Sequence, residues 1–284
     1  MVPCMKKNNI DLYNQNTMRL HCVAETVYYP ESVDELKSII SELGNKDFYL
    51  LAAGSNVILP ESISRPVVSL MKLDDRIEFV DGIVRVGCSV RVQKLIRFLQ
   101  QHHQGGIEYL FSVPASIGGL VYMNGGRGRK YNKAISDYLI KVDFLDLDDR
   151  KIHTYTYNKS DFSYRHSPFQ DKNVILITCY FRFEEQDKET TEQLINERLE
   201  HSKNYLSADK PSCGSVFCKG NRVLFRLMRG MKVGGAQFSK KTPNWISNVD
   251  HASYQDICKL IRRAEWLHRV FLTHSKLELK IIEE

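Results

Sequence analysis

The 284-residue sequence predicts an α+β fold, and three patterns support this prediction. Segments such as 83–87 and 174–183 carry alternating or continuous apolar residues, as β-strands do. Segments such as 33–40 and 254–272 place apolar residues three and four positions apart, as amphipathic helices do. Strands and helices do not alternate regularly, which argues against a parallel βαβ sheet. With 43% hydrophobic residues, the chain can build a core for one large domain or two of ordinary size.

The same reasoning assigns elements along the whole chain. Residues 1–20 are polar, and we expect them to be loosely ordered. Helices are predicted at 33–40, 90–102, 190–206, 223–231 and 254–272. Strands are predicted at 23–29, 49–59 (around a small-residue turn), 66–70, 77–80, 83–87, 139–147, 151–157, 174–183, 210–219, 234–236 and 277–282. The charged run at 184–189 is read as a solvated helix start and a domain boundary.

Composition excludes several classes of protein. The net charge of +6 would suit a small anionic ligand, but no basic block interleaved with aromatics indicates nucleic-acid binding. The seven cysteines are odd in number and contain no C-x-x-C pair, which is typical of reduced thiols in a cytoplasmic protein. We find no metal-ligand spacing, no signal peptide and no apolar run long enough to cross a membrane. The sequence therefore predicts a cytoplasmic protein with no metal, nucleic-acid or membrane partner.

Glycine is concentrated between residues 105 and 129, where seven of the chain's 16 glycines fall. Glycine is used where backbone approaches a neighbour closely or takes a positive φ. These glycines could form a buried loop around a phosphate-bearing ligand, because bare backbone N–H groups bind anions. A run of tight turns between short strands explains them about equally well. A second small-residue turn within 49–59 favours the ligand interpretation, since two such loops could hold one extended molecule.

Five motifs in register resemble one family, the UDP-N-acetylenolpyruvoylglucosamine reductases (MurB-type, UDP-N-acetylmuramate dehydrogenases), from about residue 16 to the C-terminus. The matching stretches are Asn16-Thr17 (N-T), Ala53-Gly54-Ser55-Asn56 (G-G-S-N), 113–119 with 123–126 (I-P-G-T-V-G-G…M-N-A-G), 162–169 (F-G-Y-R-x-S-x-F) and 212–217 (S-A-G-S-V-F). The resemblance implies an FAD-binding domain of the vanillyl-alcohol-oxidase type over residues 1–188, with subdomains at about 1–70 and 71–188. A smaller α+β substrate domain would follow at 189–284.

The resemblance also implies a reaction and two cofactors, FAD and NADPH. NADPH reduces FAD, and hydride then passes to the enolpyruvyl double bond of UDP-N-acetylglucosamine enolpyruvate, giving UDP-N-acetylmuramate for peptidoglycan synthesis. Hydride addition to an alkene conjugated with a carboxylate builds negative charge, which needs a preorganised cation. Arg165 fits this role, because a guanidinium stays charged and can make two parallel hydrogen bonds. Ser215, in the match to S-A-G-S-V-F, would donate the proton.

Further residues receive binding roles from the same motifs. Cofactor contacts would come from Ala53, Gly54, Ser55, Asn56, Val57, Val113, Pro114, Ser116, Gly118, Gly119, Asn124, Gly126, Arg127 and Gly128. Substrate contacts would come from Tyr164, Lys210, Gly214 and Asn244. For Lys210, a solvated surface lysine is an equally good interpretation.

The match is interrupted at the C-terminus, where the family carries a catalytic glutamate in L-E-x-E-V-R. Aligned from Leu277, the second glutamate position holds Lys280, and Glu278 lies two residues earlier. Residues two apart in a strand share a face and lie about 6–7 Å from each other. Glu278 could therefore substitute if the strand shifts, Lys280 could stabilise the charge itself, or the site could be inactive.

Other departures favour a divergent paralogue. The family's K-H-A-N-F is replaced by Lys241-Thr242-Pro243-Asn244-Trp245, and its A-G-A-Y-G by the doubly positive 125–129. Two rival functions follow: a paralogue that reduces another nucleotide sugar for a surface polysaccharide, and a non-catalytic flavin or nucleotide-sugar binding protein. We expect a monomer in each case.

Overall fold

The computed structural model describes residues 5–44, 47–127, 133–207 and 209–284. The chain forms two compact units that interleave along the sequence. The first unit comprises Met1–Lys7, Val27–Ala53 and Val67–Leu199, and the second comprises Asn8–Thr26, Gly54–Pro66 and Glu200–Glu284. Two early segments therefore belong with the C-terminal third of the chain. The division into domains at residue 188 stays a prediction.

Six α-helices lie within the described ranges. They are α1 Val33–Leu43, α2 Val92–Gln101, α3 Ile117–Tyr122, α4 Lys188–Tyr205, α5 Arg222–Leu227 and α6 Tyr254–Val270. Side chains cap several of them at the N-terminus, which satisfies backbone donors that have no helical partner. Ser32 accepts from Glu35 N in α1, and Ser253 and Asp256 form a capping box at the start of α6. Short 3₁₀ turns occur at Leu12–Gln15, Leu70–Lys72, Glu108–Leu110, Ile135–Tyr138 and Lys159–Asp161.

The strands are short, as the mixed sequence pattern predicts. They are β1 Met5–Asp11, β2 Val23–Tyr29, β3 Tyr49–Leu51, β4 Val57–Ile58, β5 Ser62–Ile63, β6 Val67–Ser69, β7 Ile77–Val80, β8 Ile83–Gly87, β9 Gln104–Gly105, β10 Gly126–Arg127, β11 Lys133–Ala134, β12 Leu139–Asp146, β13 Ile152–Thr156, β14 Val174–Phe181, β15 Glu184–Glu185, β16 Ser212–Ser215, β17 Phe217–Lys219, β18 Lys232–Val233, β19 Ala236–Phe238, β20 Trp245–Asn248, β21 Lys276–Leu277 and β22 Lys280–Ile281.

The first unit is built on an antiparallel sheet of order β13-β12-β14-β8-β7. Apolar residues of α2 and α3, including Leu95 and Val121, pack with Val86 of β8 and Phe181 of β14 in one core. A second core joins α1 to the parallel strands around β6, through residues such as Ile39 and Val68. Burial of each large apolar side chain in these cores stabilises the folded state by about 2 kcal/mol.

The second unit has its own core around a four-stranded antiparallel sheet of order β16-β20-β19-β18. Ile257, Leu260 and Ile261 of α6 are buried in this core, as the helical spacing of the sequence predicts. The C-terminal segment pairs twice, with β21 antiparallel to β17 and β22 parallel to β4. Residues 277–282 are therefore two short strands, where one continuous strand was expected.

Two further sequence predictions are wrong. Residues 1–20 are not loose throughout, because β1 and a 3₁₀ turn occupy residues 5–15. The glycine-rich segment also contains a helix, α3, despite the low helix propensity of Gly118 and Gly119. The Ser116 hydroxyl caps this helix by accepting from Gly119 N at 3.3 Å. Packing of the helix in the core outweighs its poor local propensity.

A buried carboxylate, Asp74, connects β8 to the segment before β7, and its removal should destabilise the first unit. Its side chain is 4% exposed and accepts from Arg76 Nε at 2.9 Å and from Arg85 Nη2 at 3.4 Å. We expect Asp74→Asn to lower the free energy of unfolding by about 2 kcal/mol, since hydrogen bonds to charged groups are lost. The matched control is Asp75→Asn, whose 70% exposed carboxylate should contribute less than about 0.5 kcal/mol.

The Asp74 effect should depend on pH. Burial raises the pKa of the carboxyl, but hydrogen bonds and charge from Arg76, with the charge of Arg85, outweigh it and hold the pKa below its ordinary value. The stabilisation is therefore complete above the unfolded-state pKa of about 3.9 and is lost as pH falls through the lower folded-state pKa. Urea melts of the wild type and Asp74→Asn should differ at neutral pH and converge only as the pH falls below the lowered folded-state pKa of Asp74. A constant difference would show that the carboxylate charge is not the cause.

Candidate active site

In the first unit, the glycine-rich segment and the F-S-Y-R segment come together. Asn124 Nδ2 donates to Ser163 O at 2.9 Å, and Arg165 Nη2 donates to Gly126 O at 3.1 Å. Ser163 and His166 exchange backbone hydrogen bonds, so Tyr164 and Arg165 form the tip of a tight turn. Arg165 has a φ of 59°, a left-handed conformation uncommon outside glycine. The backbone thus presents this guanidinium in a fixed place.

The neighbouring Tyr164 ring contributes to the same tip. It lies 4.9 Å from the Arg165 guanidinium carbon and is 59% exposed. Cations favour the face of an aromatic ring, which helps to hold the Arg165 side chain in one orientation. The turn therefore carries a positioned cation next to an exposed aromatic surface.

Several glycines of the segment are explained by close packing. A Cβ on Gly118 would lie 3.0 Å from the Cβ of Cys88, and one on Gly126 would overlap the backbone of Lys133. The N–H of Gly118 already donates to Cys88 O at 2.9 Å, and that of Gly119 to the Ser116 hydroxyl. These two N–H groups are thus engaged within the protein. Close packing explains Gly118, whereas a Cβ on Gly119 would make only ordinary contact with the Ser116 hydroxyl at 3.4 Å. The cofactor role of both residues stays a prediction.

Three buried oxygens of the segment have no hydrogen-bond partner among residues 5–44, 47–127, 133–207 and 209–284: Tyr109 Oη, Ser112 Oγ and Asn124 Oδ1. Buried polar atoms are normally satisfied, so three in one segment indicate that a polar ligand completes them. Burial raises the pKa of the Tyr109 hydroxyl, as do Tyr138 and nearby carboxylates, while Arg165 opposes this. The phenol is therefore a neutral donor. The sequence analysis missed Tyr109 and Ser112, although both lie just before Pro114 of the matched motif.

The other cofactor candidates of the first unit are placed as follows. Ala53 is buried, and Pro114 is exposed. Val113 is half-buried, and its carbonyl accepts from Gln93 at 2.8 Å. The backbone of Arg127 pairs with Lys133 in the β10–β11 hairpin. Gly128 lies outside the described residues. None of these positions contradicts a cofactor role.

In the second unit, the N-T and G-S-N motifs meet. Gly54 has a φ of 65°, and a Cβ there would overlap Gln15 O. Thr17 N donates to Gly54 O at 3.0 Å. Only glycine allows the backbone at residue 54 to come this close to Gln15. This contact explains why the two motifs, separated by about 37 residues, occur together in the sequence.

Asn56 connects this loop to the C-terminal strands. Its side-chain Nδ2 donates to Glu278 O at 3.0 Å, and its carbonyl accepts from Lys280 N at 3.0 Å. Lys280 also stands opposite Val57 in the β4–β22 pair. One asparagine thereby fixes the backbone on both sides of Leu279.

Ser215 ends β16 opposite Trp245, beside the turn made by Gly214, whose φ is 76°. Asn244, which has a φ of 67°, binds the two residues that follow Ser215. Its carbonyl accepts from Val216 N, its side-chain oxygen accepts from Phe217 N, and its side-chain nitrogen donates to Phe217 O. Glu278 N donates to Val216 O at 2.8 Å. The segments of Ser215, Asn244 and Glu278 are therefore adjacent.

The two C-terminal candidates differ in environment. Glu278 is half-buried and is bonded to the residue after Ser215, whereas Lys280 is exposed and pairs with β4. Of Glu278 and Lys280, Glu278 is therefore the residue next to the serine segment.

Cys213 lies in the same segment as Ser215. Burial raises the pKa of its thiol to about 11, so this residue is protonated at neutral pH and is no nucleophile.

Lys210 lies apart from this group, beyond the Ser212 end of β16. It lines an open cleft of about 480 Å³ together with Arg19, His21, Asn248 and Tyr254. Its side chain is exposed, in keeping with a solvated lysine. Within the described residues, no group of three or more His, Cys, Asp or Glu side chains could hold a metal ion, and no helix has the length and apolarity to cross a membrane.

Two domain models and one crystal structure of a known protein are similar to this chain. Residues 24–155 match the model of an FAD binding domain, and residues 206–267 match the C-terminal domain of UDP-N-acetylenolpyruvoylglucosamine reductase. The crystal structure of this reductase from Thermus caldophilus has the same fold, with a TM-score of 0.78 and 22% identity over 99% of both chains.

Curated relatives match over most of the sequence. The reductase of Fusobacterium nucleatum is 28% identical over 89% of this chain and 90% of its own length. That of Bacillus subtilis is 31% identical over 89% of this chain and 86% of its own length. With both domain models in order and this coverage on each side, the chain belongs to the UDP-N-acetylenolpyruvoylglucosamine reductase family.

Proposed function

We propose that the protein reduces the enolpyruvyl double bond of UDP-N-acetylglucosamine enolpyruvate with NADPH, using FAD, and releases UDP-N-acetylmuramate. Family membership supports this reaction, and so does an FAD-binding domain model over residues 24–155. The observation that carries the proposal is the 2.8 Å bond from Glu278 N to Val216 O, which joins the backbone of this glutamate to the residue after Ser215. This contact supports Glu278 as the third working residue that the resemblance implies.

The C-terminal motif then needs a different alignment. Setting Glu278-Leu279-Lys280 against the family's E-V-R makes Glu278 the second glutamate and Lys280 a conservative replacement for arginine. The half-buried position of Glu278 and the exposed position of Lys280 favour this alignment. On this alignment, the apparent loss of the glutamate becomes a shift of two residues in the match.

FAD, when bound, carries the hydride from NADPH to the substrate. Tyr109, Ser112 and Asn124 fit a polar cofactor because each has a buried oxygen that the described chain leaves unsatisfied. The remaining contacts follow the resemblance: Ala53 to Val57, Val113, Pro114, Ser116, Gly118, Gly119 and Gly126 to Gly128. For Gly118 and Gly119 these would be contacts through backbone surface, since their N–H groups are engaged.

Three side chains of the protein have separate roles in the reaction of the substrate. Arg165 holds the carboxylate and the negative charge that develops on it when hydride adds to the double bond. Ser215 donates the proton to the other carbon, and Glu278 holds or moves a proton beside it. One hydride and one proton convert the alkene to a lactyl ether. Tyr164, Lys210, Gly214 and Asn244 would contact the substrate, and we place the enzyme in the cytoplasm as a monomer.

The test follows the two half-reactions separately without oxygen. The purified, FAD-loaded protein is reduced with NADPH, UDP-N-acetylglucosamine enolpyruvate is added, and the visible flavin band is recorded. Return of the oxidised spectrum together with the lactyl product is expected. A flavin that stays reduced would reject this substrate, and a protein that retains no FAD would favour a non-flavin binding role.

Ser215→Ala should leave reduction by NADPH intact and slow reoxidation by the substrate about 10²–10⁴-fold, the usual contribution of a general acid. The matched control is Cys213→Ala, two residues away, because the family motif itself has alanine there and the thiol is protonated. We expect wild-type rates for this control. Equal rates in Ser215→Ala and the wild type would place the proton donor elsewhere.

A further inference from the structure

The second unit exposes a cluster of large apolar side chains on α5, the end of α6 and the turn that follows, here called the α5–α6 surface. Their exposed fractions run from 52% to 92%. The members are Val223, Leu227, Trp266, Val270, Phe271 and Leu272. Isolated exposed apolar residues are ordinary, but six on two neighbouring segments indicate an interaction site.

The start of α5 and the last turns of α6 adjoin each other. Asn221 N donates to His268 Nε2 at 3.0 Å, and the rings of Phe225 and His268 are 5.1 Å apart. His268 is itself buried, and its Nδ1 contacts Ala264 O at 2.8 Å. The two segments therefore adjoin each other through their buried faces, and Trp266 and Val270, each two positions from buried His268, lie on the outer face of α6.

Leu272 is the least expected member. It follows α6 with a φ of 51°, the left-handed position after a helix that glycine normally fills, and it is 92% exposed. A leucine there bears backbone strain and contacts water over nearly all of its side chain. Folding alone gives no reason for this side chain, which indicates a contact made outside the chain.

Positive charge surrounds the apolar residues. Between Cys213 and Val249 the sequence has no Asp or Glu, and between Ile257 and Leu277 it has only Glu265. The cations that are exposed on these segments are Arg222, Arg226, Arg229, Arg262, Arg263, Arg269 and Lys276. Because a second copy would bring the same cations face to face, self-association is disfavoured, and the complementary partner is anionic.

We propose that the α5–α6 surface binds an anionic lipid bilayer, with Leu272, Phe271 and Trp266 entering the headgroup layer and the arginines contacting phosphates. Apolar and tryptophan side chains that protrude among arginines are typical of segments lying in a membrane interface. The sequence predicts no membrane partner, but that expectation rests on spanning segments. A protein that lies on the bilayer needs none.

The experiment uses the full-length, FAD-loaded protein and vesicles of phosphatidylcholine with or without phosphatidylglycerol. We expect co-sedimentation with the phosphatidylglycerol vesicles only, reversed by high salt, and a blue shift of tryptophan fluorescence that Trp266→Phe removes. Trp266 is one of two tryptophans, so its replacement identifies the source of the shift. Absence of sedimentation, or equal binding to neutral vesicles, would overturn the proposal.

Leu272→Gly separates binding from folding, because glycine relieves the left-handed strain and should keep or raise the melting temperature. We expect this variant to bind about tenfold more weakly, from the lost burial of one leucine. Replacing Arg262 or Arg269 with Gln should cost about fivefold each. The matched controls, Val80→Thr and Arg182→Gln on exposed positions of the first unit, should bind like the wild type.

Three results would reject the bilayer as the partner. Undiminished vesicle binding in Leu272→Gly would show that the surface is not involved. A Trp266 shift with soluble poly-glutamate but none with vesicles would assign the surface to an acidic protein. A concentration-dependent dimer that Leu272→Gly dissociates would assign it to a second copy.

Discussion

Glu278→Gln should slow the reoxidation of reduced enzyme by the substrate about 10²-fold or more, while Lys280→Met leaves it close to the wild-type rate. A residue that holds or moves a proton contributes about 10²–10⁴. Glu278 is bonded through its N–H to Val216, the residue after Ser215, whereas Lys280 is exposed and faces Val57 in the strand register. Glutamine keeps the size and the backbone bonds of glutamate, and removes its charge and its ability to exchange a proton.

Stopped-flow absorbance of the flavin gives both half-reactions in this comparison. Reduction by NADPH should be equal in wild type, Glu278→Gln and Lys280→Met, which shows that both variants fold and retain the cofactor. If Lys280→Met is the slow variant and Glu278→Gln is not, the original alignment from Leu277 is right and lysine has replaced the family glutamate. If neither is slow, the third working residue lies elsewhere in the chain.

Glu278 also shows which features could be predicted from the sequence alone and which could not. The spacing of hydrophobic residues was sufficient to place helices such as α1 and α6 and the long strands β12 and β14. The motif match identified the family, because five short patterns in order rarely coincide. It could not fix the register at the C-terminus, where L-E-L-K-I fits the family motif in two alignments. The two residues differ only in their surroundings in the fold, since Glu278 N bonds to Val216 O and Lys280 pairs with Val57.

The glycines mark a second limit. A position that needs glycine to bind a phosphate and one that needs it for close packing have the same sequence signature, since both require only the absence of Cβ. Gly118 packs on Cys88, and Gly54 packs on Gln15. The partners are distant in sequence, so no local pattern reveals them. For the same reason, the grouping of residues 8–26 with the C-terminal unit could not be predicted.

Arg165→Met should lower the rate of alkene reduction about 10²–10³-fold, the usual effect of removing a preorganised group that stabilises developing negative charge. The backbone of Arg165 has a φ of 59°, and its Nη2 donates to Gly126 O at 3.1 Å. Methionine fills similar volume and meets the same backbone strain, so the two forms differ mainly in charge and hydrogen bonding. Arg165→Lys should fall between them, because it keeps the charge but loses the planar pair of donors.

The position of Arg165 predicts how the loss divides between binding and turnover. If the guanidinium acts on charge that develops only as hydride adds, kcat falls more than KM rises, and the visible spectrum of the bound flavin is unchanged. If it merely grips the substrate carboxylate, KM rises and kcat stays the same. The control Arg182→Met removes an exposed arginine of the same unit and should leave both constants unaltered. Near-normal kcat and KM in Arg165→Met would remove this residue from the mechanism, and the turn tethered by Asn124 would then need another explanation.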